Sequence, residues 1–528
     1  MAGQVFQVTM VPGEPPAYTF LGGTREVSEM AGLGVSELLQ YIHLHWSPAP
    51  APPGEEGKSV ERARELLARA GAEEGVAALG LLHKALMAAP AEAEGEGLVA
   101  EAGRCQEELC AALGLEEGRG AGEQDWVSDK LRVEWGKGRG RYVVTNAKVE
   151  VGEELVREQP GVSLLHHSHL TTNCLSCLLP VVRAVPCTSC SSVLFCSTWC
   201  RGAAAHHALE CGHLPALPGS GPLAPVLRLL TSMGREEAVR VAAGLPHLPP
   251  PPTGPLAEQE GVVGLQAGSK TSSQYRIDTA AQAYFLLTVL KTLGYFEDSS
   301  PAALGAEHLA IGALLNHLVK VSGDNCHEVC ELRLPTSSTP TGFDELFQHV
   351  EEVVQVVGVA IYPRMSLFNN SCDVNTVKFQ RGRQEVLVAR RGMEAGEEVT
   401  DFYGEHFFQA DRWARRAALG FACCCPACRE GWPLLEDLPA FSMAEVEERY
   451  EWALARVALE QAVTKWDVVE VERLCRALAR SAGVAAPHEA LVMPGIYLHY
   501  AITFLRANAS IPFTLAYRAG KDGKNLTK

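Results

Sequence analysis

From Ser59 to Pro90 the chain reads SVERARELLARAGAEEGVAALGLLHKALMAAP, with apolar residues at i, i+3 and i+4 in two runs broken at Gly71 and stopped at Pro90. That period predicts two helices, and a third is expected near 97–113. Between 125 and 165 the pattern changes: KLRVEWGKGRGRYVVTNAKVEVGEELVREQP alternates apolar and polar residues between glycine turns, the grammar of a β-meander. Helical patterns return to about residue 320, strand patterns occupy 327–404, and 443–480 is helical again. SPAPAPPGEEG (47–57) reads as a linker and LPHLPPPPTGP (245–255) as a surface loop, while residues 1–45 carry no decisive pattern. With 528 residues the chain exceeds what one core supports, so an α+β multidomain protein is expected.

Composition is that of a globular protein, 47% hydrophobic and 21% charged. The formal net charge of −17 argues against a general nucleic-acid binder, which needs a basic surface, although a local basic patch is compatible with it. The N-terminus lacks a basic segment followed by an apolar run, so no secretory signal is expected. The apolar run LVMPGIYLHYAITFL (491–505) is interrupted by Pro494, Gly495 and His499 and falls short of the ~20 residues of a membrane span. An intracellular chain follows, and in a reducing compartment its 17 cysteines read first as metal ligands.

Cys174 and Cys177, Cys187 and Cys190, Cys196 and Cys200, and His207 and Cys211 form four closely spaced pairs, eight soft ligands that make two closed tetrahedral zinc sites. Downstream, Cys423, Cys425 and Cys428 supply three thiolates of a site that needs a fourth ligand, and Cys424 is an extra thiol beside them. Cys105, Cys110, Cys326, Cys330 and Cys475 read as ordinary buried thiols.

The order C-x2-C, C-x2-C, C-x3-C, H-x3-C resembles the MYND zinc finger. In that family the pairs interleave, which implies Cys174, Cys177, Cys196 and Cys200 on one zinc and Cys187, Cys190, His207 and Cys211 on the other; only His207, not His206, keeps the spacing. NNSCDVN (369–375) is similar to the central signature of SET methyltransferases, EAGEEVTDFYG (394–404) to the motif after it, WGKGRGR (135–141) to the N-terminal glycine loop, and FACCCPAC (421–428) to the post-SET cysteines. Together these resemble the SMYD family of protein-lysine methyltransferases, and the helices at 59–90 resemble a tetratricopeptide (TPR) unit. The resemblance covers about residues 60–480. It divides the chain into an N-terminal segment and linker (1–57), TPR-like helices (58–118), the first part of SET (125–165), the finger (174–211), a helical insertion (215–325), the second part of SET (326–404), a post-SET segment (421–432) and a C-terminal helical segment (443–528).

The resemblance implies S-adenosylmethionine-dependent methylation of protein lysine. Tyr403 would line the lysine channel and orient the amine. Lys137, Gly138, Arg139, Gly140, Asn369, Asn370 and Phe421 would contact the cofactor, with Tyr403 beside it; Asn325 is either a further contact or a turn residue. Gly136, Gly138 and Gly140 would let backbone approach the ligand without an intervening Cβ, and Lys137 or Arg139 suits its carboxylate. Cys372 would complete the post-SET zinc with Cys423, Cys425 and Cys428, so three zinc ions are implied. A protein substrate and peptide partners at the finger and the TPR-like helices are expected, with no membrane or sequence-specific nucleic acid, in nucleus and cytoplasm. The sequence departs from the family at Asn370 and Val374, which replace His and Pro, and at Leu419 and Gly420, which replace channel aromatics. Those departures keep open an alternative, a catalytically weak adaptor that recruits repressor or chaperone complexes.

Overall fold

The computed structural model describes residues 6–9, 17–20, 30, 33–45, 58–90, 93–115, 124–214, 217, 223–245, 253–258, 261–265, 272–297, 304–333, 353–465, 467–481 and 483–514. The linker at 47–57, the central part of the proline-rich segment and the terminal RAGKDGKNLTK lie outside these residues.

Strands β1 (Phe6–Thr9) and β2 (Ala17–Phe20) pair antiparallel, followed by helices α1 (Val35–His45), α2 (Val60–Ala70), α3 (Gly75–Ala88) and α4 (Ala93–Ala112). Ser59 starts α2 with an extended backbone, its hydroxyl accepting from the Arg62 N–H at 3.3 Å, a cap that contributes about 1 kcal/mol. Ala63 and Leu66 of α2 pack on Ala85 and Ala88 of α3, with Leu98 and Val99 of α4 closing the cluster. On α4, Ala102, Gln106 and Cys110 face inward at four-residue spacing, which turns Cys105 to solvent: it is exposed, not a buried thiol.

The strands between 125 and 165 do not form a single meander. They are β3 (Trp126–Val127), β4 (Leu131–Gly136), β5 (Gly140–Thr145), β6 (Glu154–Glu158) and β7 (Val162–Leu165), followed in the cysteine block by β8 (Val185–Pro186) and β9 (Leu194–Phe195) and, after it, by β10 (Gly254–Pro255), β11 (Cys326–Leu332), β12 (Val354–Ile361), β13 (Asn369–Asn370), β14 (Thr376–Arg381), β15 (Gln384–Ala389) and β16 (Glu398–Asp401). β8 and β9 pair with each other, and among the described residues the others lie in three sheets of order β10-β4-β5-β16-β13, β11-β12-β7 and β14-β15-β6-β3. Within 125–165 β4 and β5 are the consecutive strands that pair; β6 lies between β3 and the distant β15, and β7 finds β12, because their buried faces are completed by strands some two hundred residues later. The end of the proline-rich segment is itself an edge strand on β4.

The cysteine block adds the short helices α5 (Thr198–Ala203) and α6 (His207–Glu210), and α7 (Leu223–Met233), α8 (Arg235–Gly244), α9 (Ser273–Thr292) and α10 (Ala306–Asn325) follow. One core joins the cysteine block, these helices, α1 and the sheets. After β16 come α11 (Arg412–Leu419), α12 (Pro426–Glu430), α13 (Met443–Glu448), α14 (Tyr450–Thr464), α15 (Val468–Ser481) and α16 (Glu489–Arg506). The last three pack on Val377, Phe379, Val386 and Val388 of β14 and β15 as a second core. Among the described residues no helix is long and apolar enough to cross a membrane.

Candidate functional site

Three clusters of soft ligands converge in the folded chain: Cys174, Cys177, Cys196 and Cys200; Cys187, Cys190, His207 and Cys211; and Cys372, Cys423, Cys425 and Cys428, the ligand atoms within each lying no more than 4.8 Å apart. A tetrahedral ion with bonds near 2.3 Å separates sulfur ligands by about 3.8 Å. The measured separations cluster there: Cys177 to Cys196 3.6 Å, Cys196 to Cys200 3.5 Å, Cys187 to Cys211 3.9 Å, Cys372 to Cys428 3.6 Å, with Cys190 Sγ 3.5 Å from His207 Nε2. The three clusters fit about three zinc ions.

Hydrogen bonds orient these ligands from behind. Asn370 Nδ2 donates to Cys423 Sγ at 3.5 Å and the buried Arg415 donates to Cys428 Sγ at 3.4 Å. In the first cysteine block, Glu210, between His207 and Cys211, receives Arg228 of α7 at 2.7 and 2.8 Å and the Thr231 hydroxyl at 3.0 Å, all buried. His206 is half-buried, and desolvation pushes its imidazole down to about 2, but it is His207 whose nitrogen joins the cluster.

The glycine turn between β4 and β5 has positive φ at Gly138 (82°) and Gly140 (71°), and a Cβ at either would meet nothing within 4 Å, so the backbone is open to a ligand there. Arg139 is not a free cation: it pairs with Glu398 and lies over the Tyr142 ring at 4.3 Å. Asn369 donates to Glu398 Oε1 and to the Arg141 carbonyl, each at 3.3 Å. Glu398 thus ties the glycine turn to the asparagine strand, a role with no local signal to separate it from Glu397. Asn325 donates to the Val321 carbonyl at 2.8 Å, closing the end of α10.

The parallel pairing of β13 with β16 sets Asn369 beside Thr400 and Asn370 beside Asp401. Asn370 Oδ1 accepts the Tyr403 N–H at 3.0 Å, and the Tyr403 hydroxyl donates to the Phe368 carbonyl at 2.6 Å. Tyr403 is 47% exposed, but desolvation at its part-buried hydroxyl, followed by the Asp401 carboxylate, raises the phenol above its ordinary value, so it stays protonated. Asp401 is pinned by Lys378 at 2.6 Å; burial alone would lower that ammonium, yet Asp401 and Glu385 hold it high. Leu419 packs beside Gly404, while Gly420 ends α11 in the left-handed region at φ 70°, where an aromatic side chain would be strained. Phe421 is half-exposed just after it. The glycine turn, both asparagines, Tyr403 and the third cysteine cluster therefore meet in one region.

No protein-family model matches the chain. Over 161 residues it is 30% identical to the histone-lysine N-methyltransferase SMYD3 of Mus musculus and 29% identical to that of Homo sapiens, in each case 28% of this chain and 36% of the relative. The chain therefore spans about a third of the length of the curated relatives it matches. The finding is a likeness to a SET and MYND lysine methyltransferase over a limited region, in a mixed α and β chain with zinc-type cysteine clusters.

Proposed function

We propose that the protein is an S-adenosylmethionine-dependent protein-lysine N-methyltransferase, with an arrangement most like SET and MYND domain-containing protein four. The observation that carries the reading is the convergence of the open glycine turn, Asn369, Asn370 and Tyr403 beside the Cys372 cluster. Gly138, Gly140, Lys137 and the two asparagines would hold the cofactor, with Phe421 against its adenine and Arg139 turning from Glu398 to its carboxylate. Bound there, S-adenosylmethionine supplies a methyl group on a sulfonium leaving group.

The chain's own residues do the rest. An ammonium led into the channel beside Tyr403 would leave water, which lowers its pKa, so that its proton passes to solvent at the channel mouth and the free amine remains. The Tyr403 hydroxyl spends its proton on Phe368, so its oxygen remains an acceptor for an amine N–H. That directs the nitrogen lone pair for in-line attack, and the protonated phenol orients the amine without acting as a base. The zinc ions staple the finger and the segment after α11. The substrate is a protein carrying the target lysine, in nucleus or cytoplasm, with peptide partners at the finger and the N-terminal helices. The adaptor reading draws on Arg139 being held by Glu398 and on the missing aromatics at 419 and 420.

Calorimetric titration of the zinc-loaded protein with S-adenosylmethionine tests the proposal. Binding that is lost in Asn369→Ala and kept in Tyr403→Phe, with methyl transfer lost in the latter, is expected. No binding by protein carrying its zinc would refute the enzyme and leave the adaptor.

A further inference from the structure

On the far side of the third cysteine cluster, α11 presents a basic and aromatic face that the methyl-transfer reading does not use. Asp411 caps the helix, accepting from the Trp413 and Ala414 N–H groups at 2.8 and 2.9 Å, and this sets which residues face in and out. Arg415 turns inward to Cys428, the Phe407 carbonyl and the Ala410 carbonyl. Arg412, Trp413 and Arg416 remain outside, and Trp413 is 76% exposed. A cavity of about 230 Å³ is lined by Arg412, Trp413, Arg416 and Ala422 together with Cys423 and Cys428.

Two features set this face apart. Arg412 and Arg416 are one helical turn apart on the same side, a like-charge pair that costs the helix a few tenths of a kcal/mol. Neither has a carboxylate within ion-pair distance among the described residues, although the chain carries a net charge of −17. Some exposed arginines are matched along their own helices, Arg62 with Glu65, Arg240 with Glu237 and Arg473 with Glu470, while Arg104, Arg429 and Arg480 stand unpaired among the described residues but one to a helix. Asp411, at the start of the helix, is committed to the cap, and Glu430, two residues after Cys428, accepts from the Trp432 indole N–H at 2.9 Å. Two unmatched guanidinium groups flanking an exposed indole and an apolar cavity call for an anionic partner with a large apolar side chain.

We infer that this face of α11 docks an acidic peptide segment of another protein, whose carboxylates pair with Arg412 and Arg416 while an aromatic or aliphatic side chain packs on Trp413 in the cavity. A peptide fits better than a nucleic acid: the cationic stretch is one helical turn long, whereas an extended polyanion would meet the acidic remainder of the chain. The docking does not depend on the methyltransferase reading, because it needs neither cofactor nor turnover.

Fluorescence anisotropy on the full-length zinc-loaded protein tests it, with a fluorescein-labelled peptide of alternating glutamates around a central phenylalanine, the same peptide with glutamines, and labelled oligothymidylate. Expected is micromolar binding of the glutamate peptide that weakens with salt, is absent for the glutamine peptide, and falls about tenfold in Arg412→Glu/Arg416→Glu and severalfold in Trp413→Ala. Zinc content verifies that the variants fold; if the glutamate substitutions disturb it, Arg412→Gln/Arg416→Gln takes their place. Absent binding, equal binding by the arginine variant, or tighter binding of oligothymidylate at physiological salt overturns the proposal.

Discussion

Replacing Arg228 by methionine should release the second cysteine cluster from the helix it leans on. The side chains of Arg228 and Glu210 are 4% and 2% exposed, and the pair is bidentate at 2.7 and 2.8 Å. With Arg228→Met the Glu210 carboxylate stays buried with only the Thr231 hydroxyl at 3.0 Å. Removing one partner of such a pair costs about 3–5 kcal/mol, since the remaining charge is uncompensated. That corresponds to roughly two to four orders of magnitude in the local opening equilibrium. Hydrogen exchange reads it directly: amides of α6 and α7 should lose that much protection while those of α14 to α16 change little. Neutralising both partners, Glu210→Gln with Arg228→Met, should restore most of the protection, because no buried charge remains. A loss below about tenfold in Arg228→Met, or no recovery in the double variant, would show that the pair does not anchor the finger.

Cys372→Ser should lower the zinc content by one ion out of about three and leave the finger loaded, as atomic emission against Cys174→Ser would show. Burial pushes His83 down to about 4, so the folded state resists a proton that the unfolded chain takes up near 6.5. Its contribution is complete above that value and lost as pH falls towards 4, by up to roughly 3 kcal/mol; thermal melts of His83→Gln and wild type should converge over this window, and parallel curves would contradict the assignment. A Cβ at Gly358 would lie 2.3 Å from the Leu164 carbonyl oxygen across the β7–β12 pair, whereas one at Gly312 meets only the movable tip of Leu39 at 2.5 Å. Gly358→Ala should therefore cost about 3 kcal/mol or more and Gly312→Ala about 1 kcal/mol or less in urea unfolding, and equal costs would show that the sheet yields as easily as a side chain.

Much of the local structure was legible because its causes are local. The spacing of Ala63, Leu66 and Ala70 reads as a buried helical stripe from a dozen residues alone, and paired cysteines two or three residues apart bring two sulfurs onto one turn wherever they sit. The glycines at 138 and 140 mark a left-handed turn for the same reason. Charge balance, the interrupted apolar run at 491–505 and the grouping of polar residues at 369–375 also needed no partner.

What the tertiary structure decided were the partners. A strand pattern specifies which face is buried but not which distant edge completes it, so the segment from 125 to 165 looked like one sheet and was divided among three. Cys105 looked like its buried neighbours because an isolated thiol has no pattern; the packing of α4 put it outside. Arg139 carried the right charge for a ligand, yet Glu398, 259 residues away, already holds it. The same holds for Cys372 beside Cys428, Lys378 beneath Asp401, and Arg412 and Arg416 with no paired acid among the described residues. Side-chain interactions act over a few ångströms in space, and sequence separation does not encode that distance once the chain has folded back on itself.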